Sequence, residues 1–133
     1  MPAVSDFLLL QVDGKKKLLR SKWLRPVSSE ELKEGIGVVG QCIVSEDSAY
    51  WLSDARLLNT ITFVDQQWVV REIAPLIANT NLQKFARIVT ADVFNYISFE
   101  NMVQRIKEEH SVIAELGQFT SEGAATDWLL LHE

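Results

Sequence analysis

Residues 28–54 read SSEELKEGIGVVGQCIVSEDSAYWLSD, and the choice between two readings of that stretch decides the fold. In one, Gly35-Ile36-Gly37-Val38-Val39-Gly40 is a G-x-G-x-x-G phosphate-binding turn, with Asp54 downstream as the acid that grips a ribose. Such a turn must follow directly on a buried strand, so that the next helix aims its N-terminus at a pyrophosphate. Ser28 to Glu34 occupies that place instead, and it is polar, acidic and helix-initiating. In the other reading Ser28 caps a helix and Glu31 reaches back to complete a capping box, while Leu32, Ile36, Val39 and Ile43 fall on one helical face. The glycines then sit inside the helix, where each costs about 1 kcal/mol relative to alanine, and close packing of helix on sheet accounts for them. Ala49 to Asp54, with Tyr50 and Trp51, follows as a short buried strand. A helix feeding a strand is the unit of an α/β fold.

Working outward, Phe7 to Val12 and Lys16 to Leu24 flank Asp13-Gly14, a pairing that predicts a β-hairpin because glycine accepts positive φ. Downstream, Thr62 caps a second helix with an apolar stripe of Val69, Ile73, Leu76 and Ile77. Pro75 inside it predicts a kink or an early break. Phe85 to Thr90 reads as a strand, and Phe99, Met102, Val103 and Ile106 mark a third helix starting near Ser98. Val112 to Leu116 reads as the last strand, and Ala125, Trp128 and Leu129 as a closing helix after Ser121. The order ββαβαβαβα predicts a mainly parallel five-stranded sheet with about four helices in a single domain over residues 1–133.

Composition narrows the function classes. The chain is 47% hydrophobic and 23% charged with a net charge of −5, which suits a folded domain and argues against nucleic-acid binding. Lys15, Lys16, Lys17, Arg20, Lys22 and Arg25 cluster, and we read them as charges guarding an exposed strand edge rather than as a binding patch. Cys42 is the single cysteine; it allows no intrachain disulfide, sits near the first helix's apolar stripe, and fits a cytoplasmic protein. No membrane insertion is expected, because the run Phe7 to Leu10 is too short for a signal peptide or a span. His110 at a helix end and His132 near the last residue have no metal-binding spacing, so neither a metal nor a cofactor is expected. The four tryptophans read as core residues.

Ligands of parallel sheets bind beyond the carboxyl ends of the strands, here Asp54 to Arg56, Ala91 and Asp92, and Gly117. Asp54 and Arg56 are the leading pair, either as a ligand clamp or as an ion pair closing the strand. Asp65, Trp68 and Asp92 complete the set of ligand or partner candidates.

The run Trp51-Leu52-Ser53-Asp54-Ala55-Arg56, then Asp65-Gln66-Gln67-Trp68, Phe85-Ala86, Phe119, Ala124-Ala125 and Trp128-Leu129 resembles small bacterial STAS/SpoIIAA-like proteins. The likeness covers about the last two-thirds of the chain and implies that fold. In anti-sigma factor antagonists of this kind a serine after the third strand is phosphorylated to switch partner binding. The corresponding stretch, Phe63 to Trp68, has glutamines there, so that switch is not expected. The resemblance implies a non-enzymatic protein-interaction or regulatory domain, with a protein partner or self-association as a homodimer. The alternative it implies is a small-molecule or lipid carrier of the SpoIIAA/Sec14-like type, with a small apolar ligand near Asp54, Arg56, Trp68 and Pro75.

Overall fold

The computed structural model describes residues 6–131; His132 lies outside the described residues. Strands β1 (Leu8–Asp13) and β2 (Leu18–Trp23) form the predicted antiparallel hairpin. Its turn works differently from the Asp-Gly reading. No glycine among the described residues has a positive φ, and Lys17, at φ 55°, takes the left-handed position. Its carbonyl accepts hydrogen bonds from Ala49 N (2.9 Å) and Tyr50 N (3.0 Å), so the turn is pinned to the entry of the next strand. A tertiary contact, which no local pattern carries, chooses the conformation.

Helix α1 (Ser29–Ser45) begins at the expected capping box: Ser28 Oγ accepts from Glu31 N, and Glu31 accepts from Ser28 N. Arg25 adds two hydrogen bonds to the Glu31 carboxylate, at 2.8 and 3.1 Å. Those bonds, and then the one from the Ser28 backbone, pull the Glu31 carboxyl down to about 2 from its ordinary 4.5. The folded state thus binds this proton more weakly than the unfolded chain. The stability it confers is complete above about pH 4.5 and lost as pH falls towards 2. Glu31→Gln is expected to flatten the loss of stability between pH 5 and pH 3, measured as the shift in urea midpoint between those two values. An unchanged slope would assign the acid sensitivity to other carboxylates.

Strand β3 (Tyr50–Asp54) runs parallel to β2. Helix α2 (Phe63–Trp68) is capped by Thr62 as predicted, and it continues through one π-helical turn (Val69–Ile73) into α3 (Ala74–Ala78). Pro75 therefore falls at the junction of the π-helical turn and α3, just after Ala74 N donates to Val69 O in the wider π-type pairing. The helix changes register instead of breaking. β4 (Lys84–Ile88), α4 (Val93–Glu109), β5 (Glu115–Phe119) and α5 (Glu122–Leu129) complete the chain. α4 starts ahead of the predicted Ser98, because Asp92 caps it by accepting from Asn95 N. β5 is shifted by three residues from the expected Val112–Leu116: its limits are set by pairing, Lys84 with Glu115 through Ile88 with Phe119. Gly117 consequently lies inside the strand and not beyond its carboxyl end.

The sheet order is β1-β2-β3-β4-β5. The basic cluster therefore does not guard an edge: β2 is interior, and the edges are β1 and β5. A hairpin's sequence does not say which of its strands will take a second neighbour. Arg20 instead meets Glu122 (3.8 Å), and Lys17 meets Asp47 (3.6 Å).

Each parallel crossover advances by one strand in the same direction. Right-handed crossovers then place all the connecting helices on one face, and the core is divided accordingly. Leu10, Leu19, Val39 and Ile43, with Val69, Val70, Ile73, Phe99 and Met102, fill the face under α1 to α4. Leu18, Leu52, Ala86 and Ile88 face the other way, onto Ala125 and Leu129 of α5. Two of the three glycines of α1 serve contact as expected: a Cβ on Gly35 would stand 2.7 Å from Trp23 Cη2, and one on Gly40 3.0 Å from Leu76 Cδ2, whereas one on Gly37 would meet nothing within 4 Å.

Candidate functional site

Alternation along the strands decides which side chains share a face. In β3, Trp51 and Ser53 point under the crossover helices, whereas Leu52 packs towards α5. In β4 the same alternation sends Phe85 and Arg87 under the helices and Ala86 and Ile88 away. The pairing register lines these residues up in two rows across the sheet. One row is Leu19, Trp51, Phe85 and Leu116; the next, closer to the carboxyl ends of the parallel strands, is Ser21, Ser53, Arg87 and Gln118.

The first row carries a flat aromatic floor. Trp51 and Phe85 stack with ring centroids 3.9 Å apart and an interplanar angle of 8°, and Phe99 of α4 meets Phe85 edge-on at 6.0 Å. Although they stand on the two middle strands of the helix-covered region, Trp51 and Phe85 are only half-buried. Above them lies a cavity of about 120 Å³, walled by apolar residues of α1, the π-helical turn, α3 and α4, among them Ile36, Ile73, Ile77 and Val103. The exposed side chains on its lining are Lys107 and Glu115, at the end away from Arg87.

The second row carries the polarity. Trp51 Nε1 donates to Ser21 Oγ at 2.9 Å. Arg87 is 2% exposed. Its Nη1 donates to Gln118 Oε1 (2.9 Å), its Nη2 donates to Asn95 Oδ1 (3.2 Å), and its guanidinium carbon lies 4.1 Å from the centre of the Phe99 ring. Among the described residues no carboxylate pairs with it. Burial without such a partner pushes its pKa down to about 10, because the charged form loses hydration. Ser53, 4% exposed, lines the same cavity.

The residues singled out from sequence do not meet at this cavity. Asp54 shares its face with Leu52, on the α5 side, and binds Arg56 in a fork of 2.7 and 3.0 Å. Burial works to raise the Asp54 carboxyl, but hydrogen bonds from Arg56 outweigh it and hold the group below its ordinary value. The pair closes the strand and holds the next loop, the plainer of the two roles read for it. Asp65, also buried, accepts from Ser29 Oγ (2.7 Å) and ties the start of α2 to the start of α1. Trp68, partly buried, packs against the core beside the π-helical turn, with Lys33 Nζ 5.8 Å from the centre of its ring. Asp92 caps α4. Arg87, Ser53 and Asn95 were not among the candidates. The signal was an arginine at alternate spacing from Phe85 in a strand already read as buried.

Thr62 Oγ1 accepts from Asp65 N (3.2 Å). Gln66, in the stretch where a switch serine would fall, is buried and donates to Ile61 O and Ser98 Oγ while accepting from Arg105. It braces α2 against α4. Cys42 is half-buried, and burial, reinforced by Glu46, raises its thiol pKa. Among the described residues no group of three or more His, Cys, Asp or Glu converges, and no helix is long and apolar enough to cross a membrane.

No family model and no curated protein matches the sequence. Among solved structures, an uncharacterised protein of the DUF3478 family from Shewanella loihica PV-4, described as having a SpoIIAA-like fold, superposes with a TM-score of 0.61. The alignment covers 97% of this chain and 98% of that one at 13% identity. At that identity the likeness establishes the fold and nothing more: this chain has the SpoIIAA-like fold that its residues resemble.

Proposed function

We propose that this SpoIIAA-like domain is a non-enzymatic, cytoplasmic binder of one small apolar molecule, held between the sheet and the crossover helices. The observation that supports this is the cavity of about 120 Å³ over the Trp51–Phe85 stack. An engineered apolar cavity of about 150 Å³ takes up benzene, so the ligand is of that order of size. Interiors are otherwise packed as closely as organic crystals, and two incompletely buried aromatic rings under helices are a surface available to a guest. The floor is rigid strand, whereas the roof is helix that can shift to admit it.

Native mass spectrometry of gently purified protein, followed by titration with benzene-sized apolar compounds, tests the reading. A stoichiometric added mass that is lost on denaturation, and is absent from a Val103→Phe variant that fills the cavity, is expected. Protein that takes up none of the compounds would overturn it, as would uptake undiminished in Val103→Phe.

A second reading, self-association, is favoured by one observation. Phe63 (62% exposed) and Val64 (70%) open α2, and Val93 (69%) and Phe94 (87%) open α4. Both helices follow carboxyl ends of strands and are bridged by the Gln66–Ser98 and Gln66–Arg105 bonds. Exposed apolar residues gathered in this way are a surface suited to association. The same spectra decide it: a dimer reduced to monomer by Phe94→Ser is the expected result, and a monomer at high micromolar concentration sinks the idea.

A further inference from the structure

The small-molecule reading leaves the chemistry of the guest open, and the polar row at the end of the cavity narrows it. A charge removed from water is costly unless it is paired and hydrogen-bonded. Arg87 has neutral company only, two amide oxygens and an aromatic face. One proton of each Nη is engaged, which leaves Nε–H and the second proton of each Nη without an acceptor among the described residues. Beside it in register stands Ser53, 4% exposed, whose hydroxyl takes part in none of the described hydrogen bonds. Both side chains line the cavity. No fully buried side-chain nitrogen or oxygen among the described residues lacks a hydrogen-bond partner, so the spare capacity of these two largely buried side chains lies where they meet accessible space, side by side at one end of an otherwise apolar cavity.

The rest of the cavity sets the remaining terms. One guanidinium matches one negative charge, and its planar fork suits the two oxygens of a carboxylate. At the far end Lys107 and Glu115 carry opposite charges, so a second carboxylate would find no net attraction there. Between the ends the walls offer stacked rings and aliphatic side chains.

We infer that the ligand is a small monocarboxylate, its carboxylate held by Arg87 and Ser53 at the carboxyl ends of β3 and β4, and its short apolar tail lying on Trp51 and Phe85. This rests on the small-molecule reading and adds the head group to it.

Isothermal titration with matched pairs, benzoate against benzamide and hexanoate against hexanamide, tests both layers at pH 7. In the unaltered protein each carboxylate is expected to bind about tenfold or more tightly than its amide, since hydrogen bonds to charged groups exceed neutral ones. Arg87→Met is expected to abolish that preference, and Ser53→Ala to weaken the carboxylate several-fold. Amides binding as well as carboxylates to the unaltered protein would overturn this inference and leave the apolar-ligand reading standing. Binding of neither member of a pair would overturn both. A preference that survived in Arg87→Met would place the anion elsewhere and also overturn it. Should Arg87→Met fail to fold, the matched pairs and Ser53→Ala still decide.

Discussion

Leu129→Ala is expected to cost about 2–5 kcal/mol of stability, the range for deleting most of a fully buried leucine side chain. α5 has 8 residues, too short for a helix to persist in water on its own propensity. It exists because Ala125 and Leu129, both 0% exposed, close the second face of the sheet over Leu18, Leu52, Ala86 and Ile88. Few side chains share that duty, so little can shift to fill the space. Urea unfolding monitored by far-ultraviolet dichroism measures the loss, and amide exchange in β3 and β4 should accelerate in parallel. A loss below about 1 kcal/mol would mean that α5 relaxes freely onto the sheet, contrary to the tight packing expected of interiors.

Two glycines of α1, two residues apart, are expected to respond with opposite signs. Gly35→Val pushes a side chain into the Trp23 ring, where even a Cβ would stand 2.7 Å from Cη2 and 3.2 Å from Leu8 Cδ2. Trp23 is 4% exposed and faces Phe7 with ring centroids 6.3 Å apart, so the ring has little room to withdraw. Overpacking of this kind costs about 1–3 kcal/mol, at times more. Gly37→Ala meets nothing within 4 Å and should gain up to about 1 kcal/mol from helix propensity. Paired thermal and urea unfolding of the two variants reads the difference. Equal and favourable responses would mean that Trp23 swings aside, and would end the account of Gly35 as a contact surface.

The same pair shows what the sequence makes legible. Local chemistry identified the capping box at Ser28, the cap at Thr62 and the alternation of helix and strand, because each is written in residues a few positions apart. It also told a packed helix from a phosphate-binding turn. Features fixed across the sheet were not legible. The left-handed Lys17 depends on Ala49 and Tyr50, the limits of β5 depend on β4, and the burial of β2 on both sides depends on β3. The candidate site divided in the same way. Asp54 and Arg56 stood out by charge at a strand end, but the side of the sheet they occupy is set by alternation from Leu52. Arg87 drew no notice because a lone arginine in a strand ordinarily reaches solvent. Here α4 covers it through Asn95 and Phe99.

The arrangement of the layers also sets a schedule for the newborn chain. The strands and the helices that cross between them alternate along the sequence, so one side of the sheet can be covered step by step as synthesis proceeds. The other side has no such provision: roughly forty residues separate Ile88 from the Leu129 that covers it. At about 5–20 residues per second the ribosome needs a few seconds to bridge that interval. Throughout it Leu18, Leu52 and Ile88 are available to any chaperone, or to a neighbouring nascent chain.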